Sequence, residues 1–108
     1  MCVQTATIVF CLDSGSYGPG ATSIDVDLNA PEGTSGFERI YTTMLEYWNG
    51  SHWEAVSQKS GSFKYSVTNV FPIPRLSAGK TYSFRVRVNY TYRGTAYSET
   101  HSAVTVRR

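Results

Sequence analysis

Few residues in this chain of 108 have the chemistry of catalysis, and their spacing keeps them apart. The two histidines, His52 and His101, have no cysteine or further histidine at a metal-ligand spacing, and no Gly-x-Ser-x-Gly motif is present. Glu46 and Glu54 could face one another across a predicted hairpin, or stand as separate surface charges. We therefore predict that the protein is not an enzyme and that it holds no cofactor and no metal.

Other side chains have the chemistry of binding. Trp48 and Trp53 flank Asn49-Gly50, the strongest short-range hairpin signal in the chain, and two such rings could form a platform for a sugar. Cross-strand packing within the hairpin explains the same pair, and we favour it. Asp25 and Asp27 could hold a calcium ion, and Arg85 and Arg87 could bind an anionic glycan. Each pair is also explained as charged side chains on the solvent-facing side of a strand, and we favour that interpretation.

Composition limits the class of protein. Eight Tyr, five Phe and two Trp favour strands, and no window repeats apolar residues at helical spacing. The formal charge of +2 is too small to indicate a nucleic-acid partner. The first apolar run stops at Leu12 and has no basic residues before it, so we expect neither a signal peptide nor a membrane span here. We predict one all-β domain over residues 1–108, with residues 1–4 frayed or foreign to the natural chain.

The two cysteines, Cys2 and Cys11, fall near or within one predicted strand that ends at Leu12. If that strand is continuous, their separation is about 30 Å, which no disulfide can bridge. We predict a buried thiol at Cys11 and a free Cys2, with an intermolecular disulfide through Cys2 as the alternative.

Alternating apolar residues predict the central strands. Ile24, Val26 and Leu28 define one strand. In the next, one face carries Tyr41, Thr43, Leu45 and Tyr47, and the other carries Ile40, Thr42, Met44, Glu46 and Trp48. That second face is unusually apolar, so it is either covered by a neighbouring segment or available to a partner.

The segments after the hairpin complete the predicted strand set. A returning strand covers residues 51–57, a turn covers 59–62, and an edge strand begins at Phe63 and carries Pro72 and Pro74. Loops are expected at 31–37 and 92–96, and a last strand at 96–106. About seven strands joined by short turns indicate a two-sheet antiparallel sandwich.

The stretch from Leu76 to Val88 is the most informative. Tyr82, Phe84, Val86 and Val88 alternate with polar residues after a turn at Gly79. A tyrosine in that place can bury its ring and return its hydroxyl to the upstream backbone, forming a tyrosine corner. We therefore interpret Tyr82 as a structural residue.

These residues resemble a fibronectin type III domain over residues 22–106. Leu76-Ser-Ala-Gly-Lys-Thr-Tyr82 is similar to the family's Leu-x-Pro-Gly-Thr-x-Tyr, and Leu45-Glu-Tyr47 to its Val-x-Tyr. Val26-Asp-Leu28-Asn-Ala-Pro31 is similar to Val-x-Trp-x-x-Pro, with Leu28 in place of a core tryptophan. Loops 31–37 and 92–96 should then share one end of the sandwich. Arg93-Gly94-Thr95 occupies the loop that carries Arg-Gly-Asp in adhesive members, but Thr95 lacks the carboxylate, so we do not expect integrin binding.

The resemblance implies a non-catalytic binding or spacer module, extracellular or at the cell surface, whose signal peptide is absent from this sequence. Its partner is expected to be a protein or a glycan, with no nucleic acid and no membrane insertion, and the chain a monomer or weak homo-oligomer. The alternatives are a carbohydrate-binding accessory module using Trp48 and Trp53, or a structural component of a phage tail or surface appendage.

Overall fold

The structure, a computed structural model, describes residues 1–108 and contains ten strands and no helix. Since it has no helices, it has none that could cross a membrane. The strands are β1 (Cys2–Gln4), β2 (Val9–Leu12), β3 (Ser16–Tyr17), β4 (Ser23–Asn29), β5 (Arg39–Trp48), β6 (Trp53–Phe63), β7 (Ser66–Pro72), β8 (Thr81–Tyr92), β9 (Thr95–Thr100) and β10 (Val104–Arg107).

The strands form two sheets. One has the order β1-β2-β4-β7, and the other has the order β3-β10-β8-β5-β6, with β9 also paired to β8. Every pair is antiparallel except β3 with β10, which is parallel. The predicted all-β, two-sheet architecture is confirmed. Three more strands are present than expected. β1 precedes the first predicted strand, β3 lies in the loop that follows it, and the last predicted strand is interrupted between β9 and β10.

The core lies between the sheets and contains seventeen buried hydrophobic residues. The period-two pattern of β4, β5 and β8 places alternate side chains there. Eight of the residues singled out in the sequence are fully buried: Ile24, Val26, Leu28, Thr43, Leu45, Phe84, Val86 and Val88. Leu76, Tyr82 and Tyr47 are partly buried and pack against this core.

The hydroxyl of Tyr82 is tied to the turn that precedes β8. It accepts a hydrogen bond from the Ser77 amide at 3.1 Å and lies 3.3 Å from the Ser77 carbonyl, to which it can donate. Its ring centroid is 6.1 Å from that of Tyr47 on β5. Tyr82 therefore joins the loop between the sheets to the middle of one sheet.

A buried polar network connects the sheets directly. The hydroxyl of Thr43 on β5 donates to Oδ1 of Asn69 on β7 at 2.5 Å, and Nδ2 of Asn69 donates to the Tyr41 hydroxyl at 2.9 Å. Thr43 is fully buried and Asn69 nearly so. Because buried polar groups are costly when unpaired, this network favours one alignment of the two sheets.

The prediction for the cysteines was wrong, because Cys2 and Cys11 form a disulfide with Cα atoms 4.1 Å apart. The chain does not run straight from one to the other. It reverses between β1 and β2, where the hydroxyl oxygen of Thr5 accepts hydrogen bonds from the amides of Thr7 and Ile8. Residues 2–4 are consequently a paired strand and not a frayed end.

The turn predicted at 59–62 was also wrong, since β6 continues through it to Phe63. Lys59 pairs with Thr43, and Gly61 with Tyr41. A Cβ atom on Gly61 would lie 3.0 Å from the Tyr41 hydroxyl and 3.3 Å from its ring. Glycine occurs within this strand because an aromatic ring covers its backbone.

Each sheet has edges that limit further pairing. The predicted edge strand is confirmed as β7, but its predicted bounds were wrong. Phe63 ends β6, and β7 runs from Ser66 to Pro72 and does not reach Pro74, while β1 has only three residues. The longest edge strand is β6, with eleven residues. Its register shifts at a bulge, since Leu45 pairs with Ser57 and Glu46 with Ala55, which leaves Val56 as the extra residue.

Candidate functional site

The outer face of the larger sheet is the candidate site; it comprises the side chains that β5, β6, β8 and β9 turn away from the core. At one end, two rows of short side chains cross the four strands. They are Ser62, Ile40, Thr91 and Ala96, followed by Ser60, Thr42, Asn89 and Ser98. These residues line a shallow groove of about 930 Å³. Ile40, which is 59% exposed, is the most exposed of the large apolar side chains that line it.

A charged cluster follows along the same face. The Glu46 carboxylate accepts a hydrogen bond from Nε of Arg85 at 2.6 Å, and Nη2 of Arg87 lies 3.4 Å from its other oxygen. Glu46 is only 7% exposed. The two arginines considered for an anionic glycan thus neutralise a covered carboxylate, and the cluster carries one net positive charge.

Trp48 and Trp53 pair across the hairpin, with ring centroids 5.5 Å apart and planes inclined by 57°. The guanidinium of Arg85 lies 4.4 Å from the centroid of the Trp53 ring. Trp48 remains 40% exposed. The two rings therefore do not form a flat platform, and Trp48 is the ring that offers a surface to a ligand.

Glu46 and Glu54 lie on the two strands of the β5–β6 hairpin but do not face one another. Oδ1 of Asn49 accepts hydrogen bonds from the amides of Ser51 and His52, and Nδ2 of Asn49 donates to Glu54 at 3.3 Å. Glu46 is opposite Ala55, whereas Glu54 is opposite Tyr47. The structure thus places Glu46 and Glu54 apart, with different partners. His52 is exposed in this turn and His101 is buried far along the chain, between β9 and β10.

The loops at the opposite end of the hairpin strands are neighbours, as predicted. Phe37 contacts Tyr92 edge to face at 6.3 Å, and the guanidinium of Arg93 lies 4.6 Å from the Phe37 ring centroid. Arg93 and Gly94 both have positive φ, 50° and 83°, and form the tight turn between β8 and β9. Thr95 is the first residue of β9, so the Arg93-Gly94-Thr95 segment is a hairpin turn stacked on the facing loop.

Arg39 connects the loops at this end of the sandwich, and its role was not predicted from the sequence. It is fully buried, and its guanidinium donates to the carbonyls of Thr7 at 3.0 and 3.1 Å, Thr34 at 2.9 Å and Phe37 at 2.7 Å. The Tyr92 ring lies 4.3 Å away. Burial lowers the pKa of Arg39 from its ordinary value. The signal was present, because Arg39 shares the parity of the inward-facing residues of β5.

The aspartates considered for calcium are engaged within their sheet. Asp25 accepts a hydrogen bond from the Ser23 hydroxyl at 2.9 Å, and Asp27 accepts one from Thr68 at 2.6 Å. The backbone amide of Asp25 donates to Asp13, which also accepts from the Tyr17 hydroxyl. Burial, with the Asp13 contact, raises the pKa of Tyr17. No group of three or more His, Cys, Asp and Glu side chains converges in the chain.

Comparison with known proteins shows the fold. No family model and no curated protein matches the chain. Among solved structures, it is similar to a chain of the CsuC–CsuE chaperone–tip adhesion subunit pre-assembly complex from the archaic chaperone-usher Csu pili of Acinetobacter baumannii. The TM-score is 0.59 at 13% identity, over 94% of this chain and 50% of that chain. The present chain thus spans about half the length of its structural neighbour.

Proposed function

We propose that this chain is a non-catalytic binding module of an exported or surface-exposed assembly, and that it contacts a protein partner through the outer face. The observation that carries this proposal is the open groove, with Ile40 exposed in it and Trp48 exposed on the same face of β5. The two side chains are eight residues apart, which corresponds to about 26 Å along a strand. The groove around Ile40 offers a partner a concave surface with an exposed apolar side chain and a polar rim, as binding grooves do.

The disulfide supports export. Cys2 and Cys11 are the two cysteines of the chain, and both are in the bond. Disulfides persist in oxidising surroundings such as the periplasm, the extracellular space and the surfaces of cells and virions. The similarity in fold to a chain of a pilus assembly complex agrees with a component of a surface appendage.

We further infer that the sandwich is of the fibronectin type III branch. The Tyr82 hydroxyl meets the Ser77 backbone in the manner of a tyrosine corner. β6 is paired with β5 and not with the sheet of β2, β4 and β7. A constant-type immunoglobulin domain places its fourth strand on that other sheet, so the arrangement here differs from it.

The chemistry of the outer face supports binding over catalysis. Glu46 accepts from Arg85, lies near Arg87 and is covered by protein. A carboxylate neutralised in this way suits a structural ion pair better than a general base, which has to reach a substrate proton.

Site-specific photo-crosslinking in the cells that make the protein tests this function. A benzophenone side chain at position 40 should give a covalent adduct with a defined neighbouring polypeptide of the assembly. The matched control is position 70, because Val70 is similarly exposed, at 46%, but belongs to the other sheet. Equal adducts at both positions, or none at position 40, would contradict the proposed surface.

A second candidate is carbohydrate binding, which the exposure of Trp48 favours. On a glycan array, Trp48→Ala should abolish binding, because a sugar ring would have to stack on the exposed indole ring of Trp48. Ile40→Ala should leave it unchanged, since Ile40 lies at the other end of β5. An array without any signal for the unmodified protein would remove this candidate.

A further inference from the structure

The turn of the β5–β6 hairpin places an asparagine directly before a glycine. Asn49 and Gly50 lie between the paired residues Trp48 and Trp53, and both are exposed. Gly50 has a φ of 99°, and apart from its chain neighbours nothing lies within 4 Å of a methyl built on it. Its amide donates none of the hydrogen bonds of the turn. The backbone nitrogen that follows Asn49 is therefore free and open to water.

The side-chain oxygen of Asn49 is surrounded by donors. Oδ1 accepts hydrogen bonds from the backbone amides of Ser51 at 2.9 Å and His52 at 3.0 Å, and from the Ser51 hydroxyl at 3.1 Å. The side-chain nitrogen, Nδ2, lies 3.0 Å from Nε2 of the His52 ring and donates to Glu54 at 3.3 Å. Because a carboxylate only accepts hydrogen bonds, the Glu54 contact identifies the nitrogen. The oxygen thus lies among three donors.

Three donors on one carbonyl oxygen favour addition at the carbon that bears it. A nucleophile that adds to Cγ of Asn49 moves the π electrons onto Oδ1, and donors at hydrogen-bond distance stabilise the resulting oxyanion. Here the donors are two backbone amides and a hydroxyl, which are fixed by the turn itself. The nearest nucleophile along the chain is the free backbone nitrogen of Gly50, whose attack closes a five-membered ring.

We propose that Asn49 is a site of self-modification, where the hairpin turn converts the asparagine through a cyclic imide into aspartate and isoaspartate. The Gly50 nitrogen loses its proton to solvent and forms a bond to Cγ. The oxyanion then collapses, the bond from Cγ to Nδ2 breaks, and Nδ2 takes a proton from solvent and leaves as ammonia. Water opens the ring at Cγ to give aspartate, or at the main-chain carbonyl to give isoaspartate.

The other asparagines of the chain lack this combination. Asn29, Asn69 and Asn89 lie in strands and are followed by Ala, Val and Tyr. The amide that follows Asn29 is already bonded to a carbonyl oxygen. Oδ1 of Asn69 and Oδ1 of Asn89 each accept one hydrogen bond. Asn49 alone has a following glycine and three donors on its side-chain oxygen, so the reaction should be confined to it.

The product changes the charge at one end of the outer face. The carboxylate that replaces the Asn49 amide faces Glu54, to which the amide donated, so a hydrogen bond gives way to repulsion. The formal net charge falls from +2 to +1. Trp48, the exposed ring of this end, is the adjacent residue. Since water is the only co-reactant, the change accumulates with the age of the molecule.

Mass spectrometry of the protein kept in neutral buffer follows the reaction. The peptide that contains Asn49 should gain the mass difference between an amide and a carboxyl group. The rate should be at least about tenfold higher in the folded protein than in the same chain in guanidinium chloride, the effect of one hydrogen bond to a charged atom. Asn29, Asn69 and Asn89 should stay unchanged in the folded protein. A folded-state rate equal to or below the denatured-state rate would overturn the proposal.

Two substitutions in the turn separate the oxygen from the nitrogen of the Asn49 side chain. Ser51→Ala removes the hydroxyl donor from Oδ1 and should slow the folded-state reaction about threefold to tenfold. Glu54→Gln is the matched control, because Glu54 contacts Nδ2 alone, and its rate should stay within about twofold of the unmodified protein. Each variant is compared with its own denatured chain. Equal rates for the two folded variants would contradict the role of the donors.

The products decide the pathway without any variant. Labelling with an isoaspartyl methyltransferase should detect isoaspartate at position 49, and the imide should appear as a transient peptide that has lost the mass of ammonia. Aspartate alone, with neither isoaspartate nor the imide, would mean that water hydrolyses the amide directly, and it would overturn the proposal.

Discussion

Single side chains that bond to the backbone of a neighbouring loop hold the ends of this sandwich. Tyr82 does so at one end through Ser77, and Arg39 does so at the other through three carbonyls. Neither residue needs a charged partner. For Arg39, the contribution follows from supplying donors to carbonyls in a partly buried site. The contact of the Tyr82 hydroxyl with Ser77 is exposed to solvent, so its contribution is that of one ordinary hydrogen bond.

Tyr82→Phe should lower the free energy of unfolding by about 1 kcal/mol, the usual value of a single net hydrogen bond. The ring stays in place, so packing against Tyr47 is retained. Urea denaturation followed by fluorescence gives the difference. Tyr65→Phe is the control, since Tyr65 is 66% exposed, and it should leave the midpoint unchanged. Equal effects of the two changes would show that the corner contributes nothing.

Arg39→Met should cost about 3 kcal/mol or more, because it leaves the carbonyls of Thr7, Thr34 and Phe37 without donors. The exposed counterpart is Arg93→Met, which removes only the stacking on Phe37 and should cost less than about 1 kcal/mol. Chemical denaturation of both variants provides the comparison. A cost for Arg39→Met as small as that for Arg93→Met would mean that the loops hold together without the guanidinium.

The sequence predicted the elements whose pattern is strongly periodic and missed those that depend on a local contact. β4, β5 and β8 alternate clearly, so their faces could be predicted. The reversal between β1 and β2 has no Gly, Pro or Asn and depends on the Thr5 hydroxyl. The glycine at position 61 indicated a turn, but the Tyr41 ring that covers it is twenty residues away in sequence. The tilt of the Trp48–Trp53 pair could not be predicted either, because it accompanies the placement of Arg85 against Trp53.

Gly61→Ala tests the explanation for the long β6 strand. The added methyl would lie 3.0 Å from the Tyr41 hydroxyl, which is bonded to Asn69, so the ring has to move or the bond has to break. Such overpacking costs about 1–3 kcal/mol. Gly20→Ala is the control, because nothing lies within 4 Å of its added methyl, and its thermal midpoint should not fall. A harmless Gly61→Ala would mean that Tyr41 does not fix this strand.

The β1–β2 hairpin should depend on its disulfide. The loop between Cys2 and Cys11 is short, so the double change to serine should cost about 2–3 kcal/mol at most. Reductant should lower the thermal midpoint of the unmodified protein and leave the serine variant unaffected. A thiol assay on denatured, unreduced protein should detect no free thiol, and gel electrophoresis without reductant should show no dimer. Free thiol or a reducible dimer would restore the intermolecular alternative for Cys2.

On the scale of the whole molecule, the two sheets are joined by a hydrophobic core, whose attraction is non-directional, and by a polar network, whose hydrogen bonds are directional. Thr43 and Tyr41 belong to one sheet and Asn69 to the other, and their hydrogen bonds are directional. Seventeen buried apolar side chains supply most of the stabilisation, whereas the network specifies how one sheet lies on the other.

Asn69→Leu should destabilise the protein by about 1–3 kcal/mol, because it leaves the Thr43 and Tyr41 hydroxyls buried without this partner. Thr43→Val in the same chain removes one of those hydroxyls. The double variant should therefore lose less stability than the sum of the two single variants, by about 1 kcal/mol. Denaturant titration of the four proteins completes the cycle. Strict additivity would show that the network does not act as a unit.

The bulge at Val56 has a consequence for how such modules can be arranged. It interrupts the regular row of backbone groups on β6, and Lys59, opposite the inward-facing Thr43, adds a charge beside the remaining stretch. Extra residues and inward charges of this kind discourage one sheet from fusing with the next. Two copies of the domain would therefore not readily pair edge to edge through β6, which leaves the outer face of the larger sheet open to a different partner.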